Sequence, residues 1–335
     1  MSTPKTLEAR VDKLADKGYA CVQQWDYKRA IQCGKKLLKL RHTSGFEILA
    51  LAYAGKDKKK KAIRILEKGV RKGPGVWLLW QLLGNYYSDR KKYKKALAAY
   101  DKALECEHTD TASVNFNRAI VFDRQEQYQE ALSVLEIPEE TRLLSYRVQS
   151  LKALLLQELE RNDEALQITS QTHQQLLALD EEFVDDNEEE LSIVWCQLGQ
   201  VYWQAAQDEE KANICADYAL SLRRGDTQAL TLIRNIENQR SPKAKYYRLL
   251  IEGNWPEKIE DKKTRLRPAG FFTTYDVVAD DKEEAFTYVR NFEPEEMRES
   301  LKIEECEALE KRPDDPKGVY RITGYGFFLR KPKDK

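Results

Sequence analysis

Residues 77–110 read WLLWQLLGNYYSDRKKYKKALAAYDKALECEHTD. Trp80, Leu83, Gly84 and Tyr87 recur at three- and four-residue spacing, which puts them on one face of a helix. The polar run 88–92 interrupts that pattern, and Ala96, Tyr100 and Ala103 then mark one face of a second helix. Helices joined by so short a turn lie antiparallel. They approach closely only where side chains are small, so Gly84 and Ala96 mark the crossing. Tyr87 and Tyr100 fill the space toward the next pair.

Sliding by 34 or 35 residues recovers the same signature. Upstream it is carried by Phe46, Leu49, Ala50, Tyr53, Ala62, Leu66, Gly69 and Pro74. Downstream it is carried by Asn115, Arg118, Ala119, Phe122, Ala131 and Leu135, then more weakly by Lys152, Ala153, Leu156 and Ala165. A slightly shorter first unit has Leu14, Gly18, Cys21, Ala30 and Leu37. A sixth has Trp195, Leu198, Gly199 and Tyr202, then Ala212, Ala216 and Ala219 after one extra residue. The spacing resembles the tetratricopeptide repeat, W-x2-L-G-x2-Y followed by A-x3-F and A-x4-P, over residues 11–224. His108 stands where that family usually has proline.

The resemblance implies a mainly α fold, a right-handed helical solenoid of about six helix pairs. No pair buries its apolar face alone, so successive units stack. Asp226 is a plausible N-cap for a final helix whose Leu230, Ile233 and Ile236 share one face, suited to covering the open end. An acidic insertion, Leu179–Leu191, lengthens the junction before the sixth unit; it reads as a solvated loop or helix end, or as a docking strip for a basic partner.

The pattern changes at Ser241-Pro242, which sets expected domains of 1–240 and 241–335. Lys245–Glu252 and Phe271–Val278 read as strands, 282–292 as a helix capped from Asp280-Asp281, and 300–309 and 318–329 as two more strands. The expectation is a small α+β module of ββαββ type. Thr323–Arg330, TGYGFFLR, matches the centre of a ribonucleoprotein signature. It lacks the leading cation, and Arg330 replaces the last stacking ring. No helix and strand follow it, so it is expected to be a packed aromatic strand rather than a base-stacking one.

With 41% apolar and 33% charged residues, the chain of 335 has material for a core beneath a heavily charged surface. The start, MSTPKTLEAR, lacks an apolar signal region, and no stretch is apolar enough for a membrane span. Six scattered cysteines without a C-x-x-C pair read as buried reduced thiols of a cytoplasmic protein. No metal site, cofactor site or catalytic motif is expected, and so no enzyme: the three histidines lack partners at ligand spacing, and there is no Gly-rich phosphate loop.

The formal charge of zero hides a division. Residues 1–110 carry a net +13, residues 111–240 a net −13, and the remainder is neutral. Opposite blocks predict weak head-to-tail self-association that salt dissolves. Within the basic block, Lys58, Lys59, Lys60, Lys91, Lys92 and Lys95 fall at turns of successive pairs and would form a basic ridge. That ridge reads either as a solvated edge or as a site for an acidic partner, nucleic acid included.

The resemblance implies a concave surface lined by first helices that receives a peptide or protein partner. It places Gln81, Asn85, Asn117, Arg124, Arg147, Gln200 and Trp203 there. The chaperone-binding carboxylate clamp of that family is matched by Asn85, Asn117 and Arg147, while Gln81 and Leu151 stand where it has charges. An interaction scaffold is the reading these residues favour, with RNA binding along the ridge as the alternative.

Overall fold

The structure is a computed structural model and describes residues 4–135, 142–256, 268–309 and 315–328. The chain divides into two compact units, Met1–Glu140 and Thr141–Lys335. The expected boundary at 240/241 falls inside the second of them.

The first unit is four helix pairs: α1 (Pro4–Gln23) with α2 (Tyr27–Lys39), α3 (Ser44–Gly55) with α4 (Lys59–Lys72), α5 (Trp77–Ser88) with α6 (Tyr93–Leu104), and α7 (Thr111–Asp123) with α8 (Tyr128–Val134). The room that Gly84 leaves is filled by the Tyr100 ring of its own pair, which was expected to fill space toward the next pair. A Cβ on Gly84 would lie 2.4 Å from the ring of Tyr100. That ring is fully buried, and its hydroxyl donates to Asn85 Oδ1 at 2.7 Å. Ile63, Leu66, Leu79, Leu83 and Tyr87 complete the core of the middle pairs.

The turn inside each pair repeats one backbone device. Trp25, Asp57, Lys91 and Glu126 are left-handed, as are Glu160 and Gln207 in the second unit. From Asp57 onward the next N–H returns to a first-helix carbonyl: Lys58 to Tyr53, Lys92 to Tyr87, Gln127 to Phe122, Arg161 to Leu156. At Asp208 it reaches Tyr202, one residue further back, which is where the sixth unit has its extra residue. This closure satisfies carbonyls that a helix end leaves open.

In the second unit α9 (Arg142–Glu158) pairs with α10 (Asn162–Leu177), and α12 (Glu188–Ala206) with α13 (Glu209–Leu222). The acidic insertion forms the short α11 (Glu181–Asp186) between them. Asp226 caps α14 (Thr227–Glu237) by accepting from the backbone of Gln228 and Ala229.

The rest is an antiparallel sheet, β1 (Lys245–Asn254), β2 (Gly270–Ala279), β3 (Lys302–Leu309), β4 (Gly318–Ile322) and β5 (Gly326–Phe328), with α15 (Lys282–Phe292) and α16 (Glu295–Arg298). Strand order is β3-β1-β2-β4, and β5 also pairs with β2. The single expected strand 318–329 is thus two. Thr323 interrupts it by bonding through its side chain and backbone to Thr273 and Thr274. Leu329 and Arg330 lie outside the described residues.

The last helix is more than a lid on the repeats. Its Ala229 and Leu232 join the helical core, while Leu230 enters the sheet core beside Tyr275, Val277 and Val289. The Arg234 guanidinium lies 3.9 Å from the Tyr320 ring centroid and donates to the Val319 carbonyl. Ahead of the helix, Arg224 pairs with the fully buried Glu293 at 2.5 Å and donates to Tyr275 at 2.9 Å. Tyr325, from the ribonucleoprotein-like run, lies under that guanidinium and donates to Glu293 at 2.7 Å. Tyr325 of that run is therefore tied to Arg224 and Glu293.

Cys21, Cys33, Cys196 and Cys215 are buried, as expected. Cys106 is half-buried and Cys306 exposed, contrary to expectation. Cys306 sits on β3, an edge strand among the described residues, where it pairs with Leu249 of β1.

Candidate functional site

The second unit contains a cavity of about 490 Å³ built by α12 and α14 with Leu154 of α9. Gln197, Gln200, Trp203 and Gln204 enter it from α12, spaced by three or four residues and hence on one face. Thr227, Thr231 and Asn235 enter from α14 at i, i+4 and i+8, accompanied by Gln228. Leu154, Cys196 and Leu232 provide apolar surface. The wall is therefore a ring of carboxamides around a small apolar patch and one indole.

Local contacts orient several of these groups. Ser150 donates to Gln197 Oε1 at 2.6 Å, and Gln200 Nε2 donates to Gln204 Oε1 at 3.3 Å. The Thr231 hydroxyl donates to the Thr227 carbonyl at 2.7 Å. Cys196 Sγ lies 3.7 Å from Asp226 Oδ1, whose carboxylate also accepts from Ser192 at 2.9 Å. Burial first, and the Asp226 charge second, push the Cys196 thiol far up, so it remains a thiol and not a nucleophile. Carboxamides neither titrate nor attack; what they offer is paired donors and acceptors. Among the described residues no group of three or more His, Cys, Asp and Glu is placed to hold a metal ion. Among them, too, no helix is long and apolar enough to cross a membrane.

Of the residues expected to bind a partner, Gln200 and Trp203 line this cavity. The others lie elsewhere. Gln81 is buried. Asn85 accepts from Tyr100, and Asn117 donates to the Ser113 carbonyl of its own helix at 3.0 Å. Arg124 reaches back to Ser88 Oγ at 2.9 Å. Arg147 belongs to α9 of the second unit, where burial lowers its pKa against the opposing pull of Glu190.

The ridge residues Lys58, Lys59, Lys60, Lys91, Lys92 and Lys95 are all exposed on the first unit. The first three share a hollow of about 860 Å³ with Arg64 and Arg90. Lys92 lines an adjoining hollow with Lys60, and Lys91 lines a third with Lys59 and Arg124. The Lys95 ammonium lies instead 5.7 Å from the Tyr87 ring centroid.

The contribution of α14 was missed in the sequence. Its Leu230–Ile233–Ile236 stripe drew the inward face, yet Thr227, Thr231 and Asn235 form an equally regular polar stripe at helical spacing.

Residues 79–106 match the family model of the tetratricopeptide repeat. The helix pairs are tetratricopeptide-type repeats. The solved structures that resemble the chain in fold include two with TM-scores above 0.5. One is from the APC/C hetero-tetramer Cut9–Hcn1, 13% identical, with TM-score 0.54 over 66% of this chain and 41% of that one. This chain accordingly spans less than half the length of that relative. The other is the Pseudomonas aeruginosa pilF structure, 15% identical, with TM-score 0.51 over 70% of this chain and 99% of that one. The span that matches the family model takes in most of α5 and all of α6. No curated protein matches the sequence.

Proposed function

We propose that the protein is an interaction scaffold and that its second unit holds an extended stretch of a partner polypeptide between α12 and α14. The observation that carries this reading is the lining of the 490 Å³ cavity: Gln197, Gln200, Gln204, Gln228 and Asn235 surround Trp203, Leu154 and Leu232. An extended peptide presents an N–H and a C=O at every residue. A carboxamide supplies complements to both, whatever the peptide's sequence. Trp203 gives a rigid apolar anchor with few rotatable bonds, the residue type that dominates binding energy at interfaces. Tetratricopeptide-type repeats support the same reading at the level of fold, and the relative from the APC/C hetero-tetramer is itself found in an assembly of proteins.

Selection from a random peptide display library against the full chain tests the proposal. Selected peptides should lose about 30-fold or more in affinity on Trp203→Ala, the loss of a central aromatic anchor worth at least about 2 kcal/mol. Gln200→Ala should weaken them about fivefold, the net worth of one hydrogen bond. Failure to select any peptide, or selected peptides that bind Trp203→Ala as tightly as the wild type, would remove this function.

A further inference from the structure

We propose that the first unit carries a second binding surface, separate from the amide-lined cavity, and that its partner is an acidic polypeptide segment. The 860 Å³ hollow is lined by Lys58–Lys61, Arg64, Lys68 and Arg90, against the single carboxylate of Asp57. The adjoining hollow shares Lys60, Arg64 and Arg90 and adds Lys92. Among the described residues, only Lys59 of the cations in the larger hollow has a carboxylate in ion-pair range, Asp89 at 3.3 Å.

This arrangement works against the fold that carries it. α4 and α6 begin at lysine N-caps with no side-chain cap and no acid in the first turn. Their first N–H groups lack a capping side chain, and lysines sit at the positive end of each helix dipole. In the second unit α13 and α14 begin at Asp208 and Asp226, which cap them. Lys60, Arg64 and Lys68 follow at i, i+4 and i+8, so like charges repel along one face. An incoming carboxylate reverses each of these penalties.

The stripe also fits an extended chain. Its steps of about 6 Å along the helix are close to the roughly 6.6–6.8 Å between alternate residues of an extended peptide. No aromatic ring lines either hollow, so stacking of bases has no platform. Asp57 and Glu67 interrupt the cationic wall, which suits separate carboxylates better than a continuous phosphate backbone.

Fluorescence anisotropy of the full chain with a labelled oligoglutamate, beside an oligouridylate of equal length, tests the proposal. At low ionic strength oligoglutamate should bind more tightly than oligouridylate, and added salt should weaken it. Lys58→Glu/Lys60→Glu should lose about tenfold or more in affinity while its thermal midpoint rises, since the new acids suit the helix start. That opposite movement separates lost binding from lost folding. Arg64→Gln/Lys68→Gln, away from the helix start, should weaken binding with an unchanged far-ultraviolet spectrum. Absence of oligoglutamate binding at low salt, tighter binding of oligouridylate, or undiminished binding by both variants would overturn the proposal.

Discussion

Arg224→Ala is expected to destabilise the second unit by about 3–5 kcal/mol, the usual result of removing one partner from a buried ion pair. Glu293 is fully buried, and three groups converge on it: the Arg224 guanidinium, the Tyr275 hydroxyl and the Tyr325 hydroxyl. Without Arg224 the carboxylate stays buried with no countercharge, and Tyr325 loses the cation lying 4.0 Å from its ring centroid. Glu293→Ala should be comparably damaging, because it orphans the guanidinium. The double substitution should cost less than the sum of the two singles, since each already breaks the same network. Urea unfolding followed by far-ultraviolet circular dichroism measures all three. A single-site loss below about 1 kcal/mol, the level of an exposed pair, would show that the network is not held as described.

Gly84→Val is expected to cost about 3 kcal/mol or more in the first unit, at the upper end of overpacking penalties. A Cβ there meets Tyr100 at 2.4 Å before any branch is added. Tyr100 has nowhere to go: it is enclosed, and its hydroxyl is tied to Asn85. By contrast, a Cβ on Gly75 meets nothing within 4 Å, so Gly75→Ala should change stability little. Parallel thermal denaturation of the two variants checks the contrast. Equal midpoints would mean that the α5–α6 crossing is looser than these distances require.

The repeat was legible because close helix packing leaves so few choices. Small residues recur wherever antiparallel helices must meet, as at Gly84 and Ala96, and the large Tyr100 fills the room that Gly84 leaves. The left-handed turn that closes each pair was not legible. Only glycine advertises that conformation, and Trp25, Asp57, Lys91, Glu126, Glu160 and Gln207 adopt it here. From Asp57 onward local closure of the helix end, an N–H returning to a carbonyl five or six residues back, accompanies it whatever residue stands there.

The strands that follow Ser241-Pro242 belong to the same compact unit as the helices from α9 onward. Two of the contacts that join the helical part of this unit to the sheet module run between Arg224 and Glu293 and between Arg234 and Val319, pairs far apart in the chain that leave no periodic trace. The candidate site was half legible. Gln200 and Trp203 stand on the expected helix face. Their partners on α14, Thr227, Thr231 and Asn235, form a polar stripe that any solvent-facing side of a helix can show, so it does not by itself mark a site. Gln81 shows the opposite error: an amide on a face read as open that packing has covered.

The proposed function rests on recognition of peptide backbone by the amides between α12 and α14. The affinity of a selected peptide, compared with that of its backbone N-methylated analogue, tests this most directly. Methylation removes N–H donors while keeping every side chain, so the account predicts a loss of about tenfold or more, two or so hydrogen bonds. An analogue that binds as well as its parent would contradict it.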